Sequence, residues 1–217
     1  MYKSNKNLCE LTNRIKTNLI LFGFARVDSS WNGTVLAPLY SRLYYITDGN
    51  AKIVLKDGRE INAELYPEVA PITVANFLKL IDERYFDGVI FHRVIDRFMI
   101  QTGGYYIEGN TLMEKEGAKT IKGEFASNGV ENTLKHKIGV LSMARTNDPN
   151  SASGQFFICS ASCAHLDGAY AAFGKVVDEL SLATVLDISH VETTNIGYGF
   201  ADFPVEPIAI KTIVRNK

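Results

Sequence analysis

The chain has 217 residues, 46% of them hydrophobic and 22% charged, with 23 basic against 24 acidic side chains and a pI near 6.4. That composition excludes a disordered chain, a collagen and a disulfide scaffold, and at roughly 100 to 200 residues per domain the length allows one large domain or a medium domain with an appendage. A net charge of -1 without clustered Lys and Arg also excludes the broad basic field that nucleic-acid binding needs.

Three cysteines, Cys9, Cys159 and Cys163, are an odd number and few for this length, which points to a reducing compartment. The apolar run over residues 18–25 is too short for a bilayer, which takes about 20 apolar residues. A mixed-charge stretch containing Glu10 precedes it, so it makes a poor signal peptide. The expectation is a cytoplasmic protein with no membrane partner.

Residues 1–50 differ from the rest of the chain. They carry six basic and three acidic side chains, leaving 17 basic against 21 acidic for the remainder, and they hold Trp31, the only tryptophan. Residues 41–50 form a β-rich run closed by Asp48-Gly49, a hairpin signal, and residues 51–66 repeat strand, turn and strand around Asp57-Gly58. Residues 71–84 read as a helix, with Pro71 suited to its first turn and Val74, Phe77, Leu78 and Ile81 on one face. Residues 89–94 and 98–101 read as two strands joined at Asp96-Arg97, and residues 103–129 as loop.

Further strands are expected over residues 138–144, 155–159 and 171–177, a second helix over 179–189 capped by Asp178, and a last strand over 207–214. Many short strands, two amphipathic helices and no βαβ alternation predict a mostly β fold. The expected architecture is a closed eight-stranded antiparallel barrel capped by two α-helices, with a β-rich N-terminal extension.

Six blocks then become specific: Phe91-His-Arg-Val94, Phe98-Met-Ile-Gln101, Gly139-Val-Leu-Ser-Met-Ala144, Ser153-Gly-Gln-Phe-Phe-Ile158, Leu166-Asp-Gly168 and Phe173-Gly-Lys-Val176. In order and spacing they resemble the successive motifs of the cyclophilin family of peptidyl-prolyl cis-trans isomerases, which implies an isomerase domain over residues 51–217 and the same barrel with two helices. The implied partners are proline-containing peptides and folding proteins.

The chemistry is consistent with these residue types. Rotation about a peptide bond meets a barrier of about 18 to 20 kcal/mol, and at Xaa-Pro the cis and trans forms lie within about 1 kcal/mol, so only the barrier needs lowering. No cofactor is required. Arg93 is the candidate cation for the prolyl nitrogen as its lone pair localises in the twisted amide, because a guanidinium stays charged and has directed donors. Phe98, Met99, Phe157 and Leu166 suit an apolar slot for the ring, and Gln101 and Gln155 can hold backbone or position Arg93. By the resemblance, Ala144 and Arg145 present main chain to the substrate, and His165 and Tyr170 sit on the rim.

Arg145-Thr146 looks more like the bacterial branch of the family. His165 stands where eukaryotic members often carry a tryptophan that contacts cyclosporin, which predicts weak binding of that drug. His92 precedes Arg93 on a strand, so alternation turns it to the other face as a structural residue. Cys159, Cys163 and His165 give only three ligands for a metal, with Cys159 in a buried-looking strand, so zinc is not expected.

In residues 1–50, Trp31-Asn-Gly33, Pro38 and the run from Arg42 to Gly49 resemble the opening strands of the cupin-like sensor domain of AraC-type regulators. The rest of that domain and a DNA-binding helix-turn-helix are absent, so a simple extension is the preferred reading over a small-molecule sensor. For the main domain the alternative to catalysis is a non-catalytic proline-peptide binding module or chaperone.

Overall fold

The computed structural model describes residues 49–216. Trp31, Cys9, the strand expected before residue 49 and the cupin-like stretch lie outside the described residues. Strand β1 (Asn50–Leu55) turns at Asp57-Gly58 into β2 (Glu60–Leu65), and in both strands every second residue is buried. Ile53, Leu55, Ile61 and Leu65 thus reach the core while Lys52 and Glu60 pair outside it at 2.8 Å.

Helix α1 (Pro71–Asp82) comes next, with Pro71 in its first turn and Val74, Phe77, Leu78 and Ile81 buried as the spacing predicts. Its first amides are satisfied from a distance: the buried Glu124 carboxylate accepts from Ile72 N at 3.0 Å and Thr73 N at 2.7 Å. Phe77 centres an aromatic core, its ring 5.2 Å from each of Phe86, Phe156 and Phe173.

The remaining strands are β3 (Arg93–Ile95), β4 (Met99–Thr102), β5 (Tyr105–Glu108), β6 (Thr111–Glu114), β7 (Val140–Met143), β8 (Phe156–Cys159), β9 (Ala172–Val176), β10 (Thr193–Thr194), β11 (Phe203–Pro204) and β12 (Ile210–Asn216). Helix α2 (Glu179–Ser189) starts at Asp178, whose side chain accepts from Ser181 N at 2.7 Å, the expected cap.

Eight strands form one antiparallel sheet in the order β12-β1-β2-β9-β7-β8-β4-β3. The expected closed barrel is corrected: the sheet is open, and no ladder joins β3 to β12. Residues 88–91 cross the gap instead, with an isolated bridge between Ile90 and Ala209 and bonds from Gly88 N to Ile210 O and Phe91 N to Ile208 O, both 2.9 Å. The apolar run at residues 89–92 therefore reads as strand in sequence but contributes single bridges, and β3 starts only at Arg93.

A second correction lies in residues 103–129, expected as loop, where β5 and β6 form a two-stranded ribbon turning at Gly109. Its strands are half-buried or exposed on both faces, so the sequence lacks the alternation that marks a strand. Gly103 ahead of it has φ +89°, and a Cβ there would lie 2.2 Å from Gly154 O, so only glycine lets β4 leave the sheet this close to the neighbouring segment.

Candidate active site

Register across the sheet aligns the key residues. Arg93 on β3 pairs with Gln101 on β4, Gln101 with Phe157 on β8, and Phe157 with Ser142 on β7. The neighbouring row, Val94, Ile100, Ile158 and Leu141, is buried in the main core, so the pleat turns the first row to the sheet's other face. There a second, smaller apolar cluster forms around Met99, Phe157, Cys163 and Leu166, with Phe98, Ala144 and Tyr170 against it.

An open cavity of 410 Å³ lies on this face. It is lined by Arg93, Phe98, Met99, Gln101, Ala144, Arg145, Gln155, Phe157, Leu166 and Tyr170, so these ten sequence-predicted residues come together. His165, the eleventh, lies in a 3-10 turn over Ala164–Leu166 outside the lining, its ring 5.3 Å from that of Phe98.

The slot residues are held from behind. The Phe98 carbonyl accepts from Ser160 N at 2.9 Å and from the Cys163 thiol at 3.3 Å. Burial raises the pKa of both Cys159 and Cys163, so these thiols stay protonated and act as apolar packing. Tyr170 meets Phe157 edge-on at 6.1 Å.

The polar groups divide their work. Gln101 Nε2 donates to Gln155 Oε1 at 2.9 Å, and Ala144 N donates to Gln155 O at 3.0 Å, so the two glutamines and the 144 main chain form one wall. Arg145 is fully engaged: its guanidinium donates to Ala169 O at 2.9 and 3.1 Å and to Thr146 O at 2.8 Å, and stacks over Tyr170 and Phe125. Arg93 is different. Its side chain is 46% exposed, it lines the cavity, and its one ion pair among the described residues is Nε to Asp202 Oδ2 at 3.5 Å.

Several residues of this face escape sequence reading. His136 is buried behind Phe157, its ring stacked 6.2 Å away at 19°. Its Nδ1 donates to the Asp167 carboxylate and its Nε2 accepts from the Ser142 hydroxyl, each at 2.9 Å, an assignment that follows from a carboxylate being an acceptor only. Burial lowers the His136 pKa against the opposing Asp167 charge, so the ring is neutral. For Asp167, burial acts upward but the hydrogen bonds from His136 prevail and keep it ionised. Ser142 and Asp167 stand inside the six motif blocks, whereas His136 carries no pattern of its own.

His92 is corrected: it lines the same cavity as Arg93 instead of facing away, because His92 N donates to Gln101 O at 3.1 Å while Arg93 also pairs with Gln101, so two residues stand against one and regular alternation fails between them. Tyr105, Tyr198, Gly199 and Phe200 complete that end, and none of them was predicted.

Residues 51–215 match the family model described as cyclophilin type peptidyl-prolyl cis-trans isomerase/CLD. The chain belongs to the cyclophilin family. Similar proteins include peptidyl-prolyl cis-trans isomerase A of Dickeya dadantii, 35% identical and covering 82% of this chain and 92% of its own length. A peptidyl-prolyl cis-trans isomerase of Acinetobacter baylyi is 41% identical over 70% of this chain and 78% of its own length. Among solved structures, the Cryptosporidium parvum cyclophilin type isomerase crystallised in the presence of the dipeptide Ala-Pro superposes with a TM-score of 0.62 at 27% identity, covering 77% of this chain and 99% of that one. This cyclophilin is accordingly an enzyme of the peptidyl-prolyl cis-trans isomerase class. Among the described residues no helix is long and apolar enough to cross a membrane.

Proposed function

We propose that residues 51–217 accelerate rotation about Xaa-Pro bonds in peptides and folding proteins, with Arg93 as the electrostatic catalyst. In the twisted amide the nitrogen lone pair is no longer delocalised, and a fixed cation near it lowers the energy of that state more than the planar one. Phe98, Met99, Phe157 and Leu166 receive the proline ring, and apolar contact holds it while the preceding carbonyl group turns. Gln101, next to Arg93 in register and tied to Gln155, orients the guanidinium and substrate backbone; Ala144 and Arg145 offer main-chain partners; His165 and Tyr170 form the rim.

What supports this reading is the cross-strand row that puts one half-exposed guanidinium, held by an ion pair to Asp202, at the edge of an apolar slot. The decisive experiment measures cis-trans exchange in a short proline peptide with and without the chain. Acceleration well above the spontaneous rate is expected; binding without acceleration would assign the fold to a proline-peptide module instead.

The proposal extends to the rest of the chain and its setting. Residues 1–50 are an extension that the isomerase domain does not need, so a chain starting near Asn50 keeps its fold and turnover. Cyclosporin binds weakly, since His165 gives a smaller surface than a tryptophan; inhibition at nanomolar drug concentration would contradict this. The location is cytoplasmic, as few cysteines suggest.

A further inference from the structure

The cavity does not end at Arg93. In the same cavity the rings of His92, Tyr105 and Phe200 meet edge-on, with centroids 4.8 Å apart for His92–Tyr105 and 5.0 Å for Tyr105–Phe200. These three residues line the same cavity as Arg93 and the slot but stand outside the apolar cluster that Met99, Phe157 and Leu166 form.

Two features of this end are not explained by packing among the described residues. His92 is 4% exposed, and its buried Nδ1 has no hydrogen-bond partner, an arrangement that costs free energy until something pairs with it or it is kept for another reason. Tyr198 is 100% exposed and held at φ +52°, between Gly197 at +80° and Gly199 at +89°. A left-handed conformation costs a side-chain-bearing residue about 1 kcal/mol or more, and a fully exposed aromatic ring recovers none of it. The turn is well built nonetheless: Gly197 N donates to Asn195 Oδ1 at 2.8 Å, and Phe200 N to Gly197 O at 2.9 Å.

The loop that carries these residues spans 195–202, between β10 and β11, and is fastened to the catalytic strand twice. Val94 N donates to Asp202 O at 2.9 Å, and the Asp202 carboxylate pairs with Arg93. Its position relative to the guanidinium is therefore set by the same strand.

We propose that this loop, through Tyr198 and Phe200 together with Tyr105 and His92, forms an extended subsite that takes an aromatic side chain of the client polypeptide flanking the proline. Edge-to-face contact with the corner and a cover from Tyr198 select for aromatic over small side chains. The inference rests on the isomerase reading, since it deepens the specificity of that same cavity.

The test is a set of peptides sharing one Ala-Pro core, with alanine, phenylalanine or glutamate placed singly at each position from three before to three after the proline. In the wild-type chain one position should favour phenylalanine over alanine by about tenfold in kcat/KM, and in Tyr198→Ala and Phe200→Ala that ratio should fall below about threefold. The absence of any favoured position, or a preference that survives both substitutions, would overturn the proposal. Tyr198 lies wholly outside the core, so Tyr198→Ala decides the matter even if Phe200→Ala fails to fold. Wild-type acceleration of the all-alanine peptide without aromatic preference would sink this inference alone, whereas no acceleration of any peptide would sink the isomerase reading with it.

Discussion

Acid should destabilise the chain through His92 in particular. Burial pushes its pKa from 6.5 down to about 4; contacts with the Ile90 carbonyl and Gln155 act upward, and the neighbouring Arg93 charge adds to the lowering. An unfolded chain takes up a proton near pH 6.5 that the folded chain refuses until about pH 4. The stability linked to neutral His92 is thus fully present above pH 6.5 and is lost progressively as the pH falls toward 4. The difference corresponds to about 3 kcal/mol, a large share of the roughly 5 to 15 kcal/mol that holds a domain folded. Urea unfolding of wild type and His92→Phe between pH 7.5 and 4 measures it, since phenylalanine fills similar space without titrating. His136 also loses its contribution on acidification but is present in both proteins, so the difference between the two curves isolates His92. Wild type should lose about 3 kcal/mol more than the variant across that range. Parallel curves, within about 0.5 kcal/mol, would refute the assignment of a buried neutral ring.

Two further outcomes are expected. His136→Ala removes two buried hydrogen bonds, one to a carboxylate, and the ring behind Phe157, so denaturation should show a loss of about 3 kcal/mol and the isomerisation assay a fall in kcat/KM of about tenfold; unchanged kcat/KM would mean that Phe157 needs no support. Asp178→Ala removes the cap of α2, which thermal or chemical unfolding should register as about 1 kcal/mol with turnover intact.

How far the sequence speaks depends on the kind of contact. Helix α1 was legible because Val74, Phe77, Leu78 and Ile81 repeat at helical spacing, and α2 because Asp178 and the residues after it form a cap. The slot is legible through motifs: Arg93, Phe98, Met99 and Gln101 sit on or beside the locally paired β3 and β4, whereas Phe157 comes from β8, which pairs with β4 from far along the chain and is marked by its own motif block. The direction of His92 is hidden because it and Arg93 both stand against Gln101, an irregularity that no alternation in the sequence announces. The open edge between β3 and β12 was equally hidden, because closure depends on how residues 88–91 and 208–210 meet across more than 100 residues of chain. His136, Asp202, Tyr198 and Phe200 reach the site only through such long-range placement. No periodicity marks a residue whose partner lies on a distant loop.

The central claim is that one guanidinium, placed at the edge of an apolar slot, lowers the barrier without serving chiefly to bind. Measuring both the exchange rate and the affinity of a proline peptide for wild type and Arg93→Ala tests it directly, because exchange spectroscopy reads the two quantities on the same sample. Arg93 is nearly half exposed and makes a single ion pair among the described residues, so the variant should fold. A fall in turnover of about 100- to 1,000-fold with affinity changed by less than about threefold is the expected result. Turnover that persists, or that falls only in step with affinity, would contradict it.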